Sequence, residues 1–151
     1  MTTKRSAGAR VVVSLAKGAS AVHVWLYRRT DGRRGGTIQG VPHLLITTVG
    51  RRTGLERTRP IGYCEADGVL IVAGSNGGSD PMPSWVYNLR SNPKAEVQIG
   101  PVKQAVVATE ALGDEYQRRW AELTERYPVF LKYPKKTKRR IPVMLLQPID
   151  G

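Results

Sequence analysis

A chain of 151 residues with 40% hydrophobic and 24% charged residues can bury one core and is too apolar to be disordered throughout. Twenty-four Lys and Arg face twelve Asp and Glu, and the net charge of +12 gathers anions: nucleic acid, an anionic membrane, or a polyanionic small molecule. A single cysteine, Cys64, excludes an intrachain disulfide and fits a reducing cytosol, while His23 and His43 lack metal-ligand spacing.

Residues 1–7 read as a flexible N-terminus. Residues 8–29 are predicted helical, because Val12, Leu15, Ala16, Ala19, Val22 and Leu26 recur at intervals of three and four. The run Val11–Leu15 is too short for the core of a secretory signal, and no stretch approaches the roughly 20 apolar residues of a membrane span. Trp25, Tyr27, Arg28 and Arg29 end this helix; they suit a packed helix end or contact with a membrane interface. Residues 30–42 read as a Gly-rich basic loop.

Leu44–Val49 is a strand, Gly50–Gly54 a turn and Arg57–Glu65 a returning strand. Ala66-Asp67-Gly68 is a hairpin signal, and Val69–Ala73, apolar throughout, reads as a strand buried on both faces. Cys64 reads as a packed strand residue. Ser75–Ser84 is a loop; Ser84 is expected to cap a helix from Trp85 to about Ser91 that Pro93 stops. Two strands, Ala95–Ile99 and Val102–Leu112, flank a Gly100-Pro101 turn. A helix over Asp114–Tyr127 places Tyr116, Trp120 and Leu123 on one side, residues 128–140 form a basic aromatic loop, and Ile141–Gln147 is the last strand. Hairpin-length links favour antiparallel neighbours. The expected fold is α+β: a mixed barrel of six mostly antiparallel strands with an N-terminal helix and flanking helices, forming a single domain over residues 8–151.

Four groups of residues could carry chemistry. Gly50-Arg51-Arg52-Thr53-Gly54, followed by Arg57 and Arg59, reads as a phosphate clamp of backbone N–H groups and forked guanidinium donors, or equally as a solvated hairpin tip. Ser75-Asn76-Gly77-Gly78-Ser79-Asp80 leaves small donors open to a ligand or serves as a flexible crossover; the ten irregular residues of Ser75–Ser84 are more than packing needs. Tyr127, Phe130 and Tyr133 lie three apart; they anchor a loop or fold over an apolar substrate, and a phenol there could give a proton. Lys132, Lys135, Lys136, Lys138, Arg139 and Arg140 suit nucleic acid, an anionic tail, lipid headgroups or plain solvent. No catalytic triad, paired-carboxylate site or dinucleotide fingerprint is present, so the demanding chemistry of an enzyme here would belong to a cofactor.

Together these pieces resemble the deazaflavin-dependent nitroreductase family and, within it, the quinone reductases that use reduced coenzyme F420. The matching pieces are Trp25-Leu26-Tyr27-Arg28-Arg29 with Gly35-Gly36-Thr37, the stretch Leu45–Gly54, Ser75-Asn76-Gly77-Gly78, and Trp85 with Asn88-Leu89 and Asn92-Pro93. The resemblance implies a split β-barrel that binds F420 in a groove beside it. By similarity, Arg51, Arg52 and Thr53 hold the phosphate and carboxylates of the cofactor tail, joined by Arg57 and Arg59. Ser75, Asn76, Gly77 and Gly78 line the deazaflavin, and Trp85 sits at its edge. The polyanionic tail would account for the basic excess without nucleic acid.

The resemblance further implies hydride transfer to quinones, other activated alkenes or nitro compounds. The proton would come from Tyr133, Tyr127 or water, with Ser75 a donor to the substrate oxygen; Tyr127, Phe130 and Tyr133 would form the substrate pocket. Where the quinone-reducing branch carries three tyrosines, this chain has Phe130 in the middle; it also has Val86 and Gly62 where tyrosines are common. The expected setting is the cytoplasm, with peripheral contact to an anionic membrane. An FMN- or haem-binding split barrel and a basic nucleic-acid-binding module are the alternatives.

Overall fold

The structure, a computed structural model, describes residues 20–149. The expected flexible N-terminus and the first part of the helix expected over 8–29 lie outside the described residues. The helix continues inside them as α1, residues 20–29. It ends where the Thr30 backbone N–H and hydroxyl both donate to the Leu26 carbonyl, at 3.1 and 2.8 Å.

Seven strands follow: β1 (Thr37–Ile38), β2 (Val41–Val49), β3 (Glu56–Ala66), β4 (Val69–Ala73), β5 (Lys94–Ile99), β6 (Val102–Glu110) and β7 (Val143–Pro148). Helix α2 (Ser84–Ser91) stands between β4 and β5, and α3 (Gly113–Arg126) between β6 and β7. Two 3₁₀ segments, η1 (Asn76–Gly78) and η2 (Pro128–Lys135), occupy stretches expected to be plain loop. The strand order β2-β3-β4-β7-β6-β5 closes on itself through β2–β5 pairing, with Leu45 opposite Gln98. The barrel expected to be mixed is antiparallel at every pairing among the described residues, including the two that join strands distant in the chain, β2–β5 and β4–β7.

Local chemistry sets the turns. Asp67 (φ 55°) and Gly68 (φ 76°) form the two-residue connection of β3 and β4, a backbone shape that suits Asp-Gly. One expectation fails at α2: Ser84 begins the helix, but the capping position falls to Pro83, and no side chain caps it.

Alternation along the strands divides the apolar residues into three groups. Leu44, Ile46, Leu70, Val72, Val97, Val106, Met144 and Leu146 fill the barrel, and Trp85, Val86 and Leu89 of α2 join that cluster. The opposite face of β4 and β7, with Ile71, Ala73, Val143 and Leu145, packs under α3 and η2 together with Cys64, Leu123 and Phe130. Helix α1 covers a third patch, Val24 and Tyr27 over Leu45. All five residues of β4 are buried, as its composition predicts, because it carries core on both faces. Among the described residues no helix is long and apolar enough to cross a membrane.

Candidate active site

A groove of about 850 Å³ opens along the outer side of β2 and β3. Val41, His43 and Thr48 of β2 line it with Arg57, Arg59, Ile61 and Gly62 of β3. The loop after β4 contributes Ser75, Asn76 and Gly77, α2 contributes Trp85 and Asn88, and η2 contributes Phe130 and Tyr133. The volume falls within the roughly 300–1,000 Å³ of small-molecule and cofactor sites, and the lining combines apolar walls with few polar groups, as such sites do.

The rim near α2 is the turn 50–54. Gly54 N–H donates to the Gly50 carbonyl and Gly50 N–H to the Leu55 carbonyl, both at 2.8 Å. Leu55 N–H donates to Thr53 Oγ1 at 3.2 Å, and Arg51 N–H to Asn88 Oδ1 at 3.1 Å. The turn was expected to expose its N–H groups; among the described residues only those of Arg52 and Thr53 are left without a partner. Anion binding here therefore depends chiefly on side chains. Arg51, Arg52, Arg57 and Arg59 have no carboxylate partner among the described residues. Arg51 lies over the Tyr87 ring, 4.2 Å from its centroid, a cation–π contact that fixes its direction.

Asn88 joins this rim to the barrel. It is 4% exposed, donates Nδ2–H to Thr48 Oγ1 at 3.0 Å and accepts from Arg51. Its signal in the sequence is a polar residue three after Trp85 and one before Leu89, on the apolar face of a short helix.

The loop after β4 is shaped by left-handed backbone at Asn76 (φ 47°), Gly77 (φ 63°) and Gly78 (φ 84°). A Cβ on Gly77 would meet no atom of the described residues within 4 Å, so the groove is open there. The loop is held from outside by Arg139. Its guanidinium donates to the carbonyls of Gly74 (2.9 Å), Ser75 (3.1 Å) and Ser79 (3.1 Å). The buried Thr137 hydroxyl donates to Asp80 Oδ1 at 2.8 Å. Asn76 Nδ2 donates back to the Pro81 carbonyl at 3.0 Å, and Ser75 lines the groove. Arg139, read from sequence as part of an anion-contacting run, is a structural brace, and Arg140 stacks 4.2 Å above Tyr116.

The far wall is η2. Phe130 is 5% exposed and meets Tyr133 edge-on at 5.6 Å between centroids. The structure thus brings Arg57, Arg59, Ser75, Asn76, Gly77, Trp85, Phe130 and Tyr133 to one groove. Arg51, Arg52 and Thr53 stand on the adjoining turn, off the lining. Gly78 is buried beneath the Lys136 side chain, where a Cβ would approach Lys136 Cβ to 2.9 Å. Tyr127 caps the end of α3 and packs on the cluster around Leu123 and Phe130 without lining the groove. His43, which the sequence offered only as a poor metal ligand, lines the groove, and among the described residues no three metal-binding side chains cluster.

Burial lowers the His43 pKa below its ordinary 6.5, partly opposed by the bond to the Val41 carbonyl and aided by nearby His23. Burial raises the Tyr27 phenol. That hydroxyl donates toward the His43 and Gln98 carbonyls, both at 3.2 Å, and accepts from Gly100 N–H at 2.9 Å, tying α1 to β2 and β5.

A closed barrel sealed by a helix, with a groove rimmed by uncommitted cations, defines a split-barrel protein suited to an anionic, flat cofactor. Among solved structures, the F420-H2 dependent reductase FDR-A has a TM-score of 0.64 at 34% identity over 70% of this chain and 94% of that one. The haem storage protein HutZ of Vibrio cholerae shares the fold alone, at TM-score 0.56 and 15% identity over 72% of this chain and 82% of that one. The profile of the F420H(2)-dependent quinone reductases matches residues 19–148, and the chain belongs to that family. It is 37% identical over 130 residues to the F420H(2)-dependent quinone reductase Rv1261c of Mycobacterium tuberculosis, spanning 83% of this chain and 87% of the relative.

Proposed function

We propose that this chain is an F420H2-dependent oxidoreductase that reduces quinones, and by the same chemistry other activated alkenes or nitro compounds. The observation that carries the reading is the groove itself: four arginines without carboxylate partners among the described residues lead to a slot floored by Ser75–Gly77. The residues fit the cofactor's two parts. Arg51, Arg52 and Thr53, with Arg57 and Arg59, hold the phosphate and carboxylates of the tail by forked and single donors. Ser75, Asn76, Gly77 and Gly78 border the ring system, with Trp85 beside them. Bound there in its reduced form, F420 supplies the hydride.

The protein supplies position, dryness and donors. Phe130 and Tyr133 make the apolar wall on which the substrate lies, and Tyr127 backs that wall. The Tyr133 phenol and the Ser75 hydroxyl donate hydrogen bonds to the substrate oxygen as it gains negative charge. With Phe130 between them, the two tyrosines provide one phenol fewer than the three-tyrosine pattern, so quinones are favoured over nitro compounds. The chain acts in the cytoplasm, at the inner face of a membrane that stores quinones. There the exposed Trp25, with the Arg29 guanidinium 5.5 Å from its ring, contacts anionic lipid.

F420 fluorescence, titrated with the protein at two salt concentrations, tests the cofactor. Micromolar or tighter binding that weakens with salt and with the Arg51→Ala/Arg52→Ala pair, followed by F420H2 oxidation on adding a quinone, supports the reading. A folded protein that binds no F420 at either salt removes it.

A further inference from the structure

His43 stands in the substrate end of the groove in a state that suits proton transfer. It lies on the outer face of β2, between Val41, in the cluster with Phe130, and Leu45, which packs under α1. Its Nδ1 is 2.9 Å from the carbonyl of Val41. A carbonyl only accepts, so Nδ1 carries the proton, and Nε2 is the ring nitrogen that binds or releases one. The hydrogen bond of the ring to the described residues is made by Nδ1, and the ring lines the groove.

The ring is placed where the substrate pocket differs from a three-tyrosine pattern. His43 pairs across the strands with Gly62. A Cβ on Gly62 would come within 2.9 Å of Val41 Cγ1, 3.3 Å of Phe130 Cζ and 3.6 Å of His43 Cε1. Glycine therefore leaves its space to the imidazole edge and the tip of Phe130. With Phe130 in place of a phenol and no side chain at 62, the imidazole stands between those two positions.

Resting on the reductase reading and extending it, we propose that His43 is the general acid of this groove, giving the Nε2 proton to the substrate oxygen. Hydride arrival forms a C–H bond and moves an electron pair onto that oxygen. The Nε2–H bond then breaks as the O–H bond forms, and water reprotonates the ring. The hydride and its two electrons come from the reduced cofactor, which is oxidised, so the substrate gains one hydride and one proton. Charged and titratable groups around the ring come from three elements. His23 of α1 lies 6.0 Å away between centroids, and the Tyr27 hydroxyl reaches the His43 carbonyl. Arg57 and Arg59 of β3 and Tyr133 of η2 line the same groove. Burial, aided by nearby His23 and partly opposed by the bond to the Val41 carbonyl, makes the imidazolium scarcer at neutral pH and a stronger acid when formed, the usual exchange in general acid catalysis.

Two measurements decide it. The chain has only two histidines, so the imidazole Cε1–H signals of the cofactor-free protein are two, assigned with His23→Asn and His43→Asn. The His43 signal should titrate below 6.5 and move when menadione is added. In turnover with F420H2 and menadione between about pH 5 and 8, wild-type kcat/KM should fall as pH rises past that midpoint. His43→Asn keeps an amide N–H for the Val41 carbonyl but has no acid; it should lower kcat ~10²-fold, flatten the pH profile and leave F420 affinity unchanged. Tyr133→Phe should keep the wild-type pH limb. A His43→Asn enzyme that retains that limb, or a His43 signal indifferent to menadione, overturns the proposal. If wild type binds F420 yet no quinone oxidises F420H2, the reductase reading fails; the menadione response of the His43 signal then still decides whether the imidazole contacts a quinone.

Discussion

Two stretches of this chain are both rich in basic residues and opposite in use. Between residues 51 and 59 four arginines have no carboxylate partner among the described residues; Arg57 and Arg59 line the groove, and Arg51 and Arg52 stand on the turn beside it. Between residues 132 and 140 six Lys and Arg follow one another, yet Arg139 is spent on backbone carbonyls, Arg140 on the Tyr116 ring, and the Lys136 stem covers Gly78. A count of positive charge would favour the second run as the anion site. The difference is in what lies across the fold: the first run faces a groove, while the second crosses behind a loop whose carbonyls point at it.

The comparison is sharpest at Arg139. Arg139→Ala should remove at least three charge-assisted bonds, cost about 2–3 kcal/mol of stability and loosen the Ser75–Gly78 floor. Thermal unfolding and F420 titration would show both losses together. Next comes Asn88→Ala, which leaves Thr48 Oγ1 and the Arg51 N–H without their partner and should cost about 1–3 kcal/mol, with F420 affinity falling in parallel. The Arg51→Ala/Arg52→Ala pair should behave differently: stability within about 0.5 kcal/mol of wild type, affinity for F420 lower by ~10–100-fold and a shallower salt dependence. If that pair destabilised the protein as much as Arg139→Ala does, the division between ligand cations and structural cations would fall.

The smallest effect concerns pH. The folded His43 has a pKa below 6.5, so on acidification the unfolded chain takes up a proton that the folded chain resists. Its neutral, folded form is therefore fully tolerated above 6.5, and stability is lost as pH falls through and below that value. Denaturant midpoints at about pH 7.5 and pH 5.5 should differ less in His43→Asn than in wild type.

Much of the architecture is legible from one dimension. Periodicity marks the strands and α3, the Asp67-Gly68 turn fixes the β3–β4 register, and the unbroken apolar run of β4 marks a strand with core on both sides. Those features are local: they need only the period of a strand and the backbone freedom of a few residues. The pairing of the Thr-Thr-Val-Gly-Arg-Arg-Thr-Gly stretch with Ser-Asn-Gly-Gly likewise identifies the family. Harder to read were the closure of β2 on β5, the brace at Arg139 and the place of Asn88, since each joins residues far apart in sequence. Ser84 does not cap α2, because Pro83 occupies the capping position.

By itself, then, the sequence determined the six barrel strands, helices α2 and α3, the family, and the candidate residues of a cofactor groove. Only the tertiary structure decided which cations are free for a ligand, which tyrosine of the η2 region reaches the groove, and that His43 shares the wall with Phe130 across Gly62. The physical reason is the same in each case. Whether a polar group is available depends on whether another part of the chain already satisfies it, and that is settled only when the barrel closes and distant segments meet.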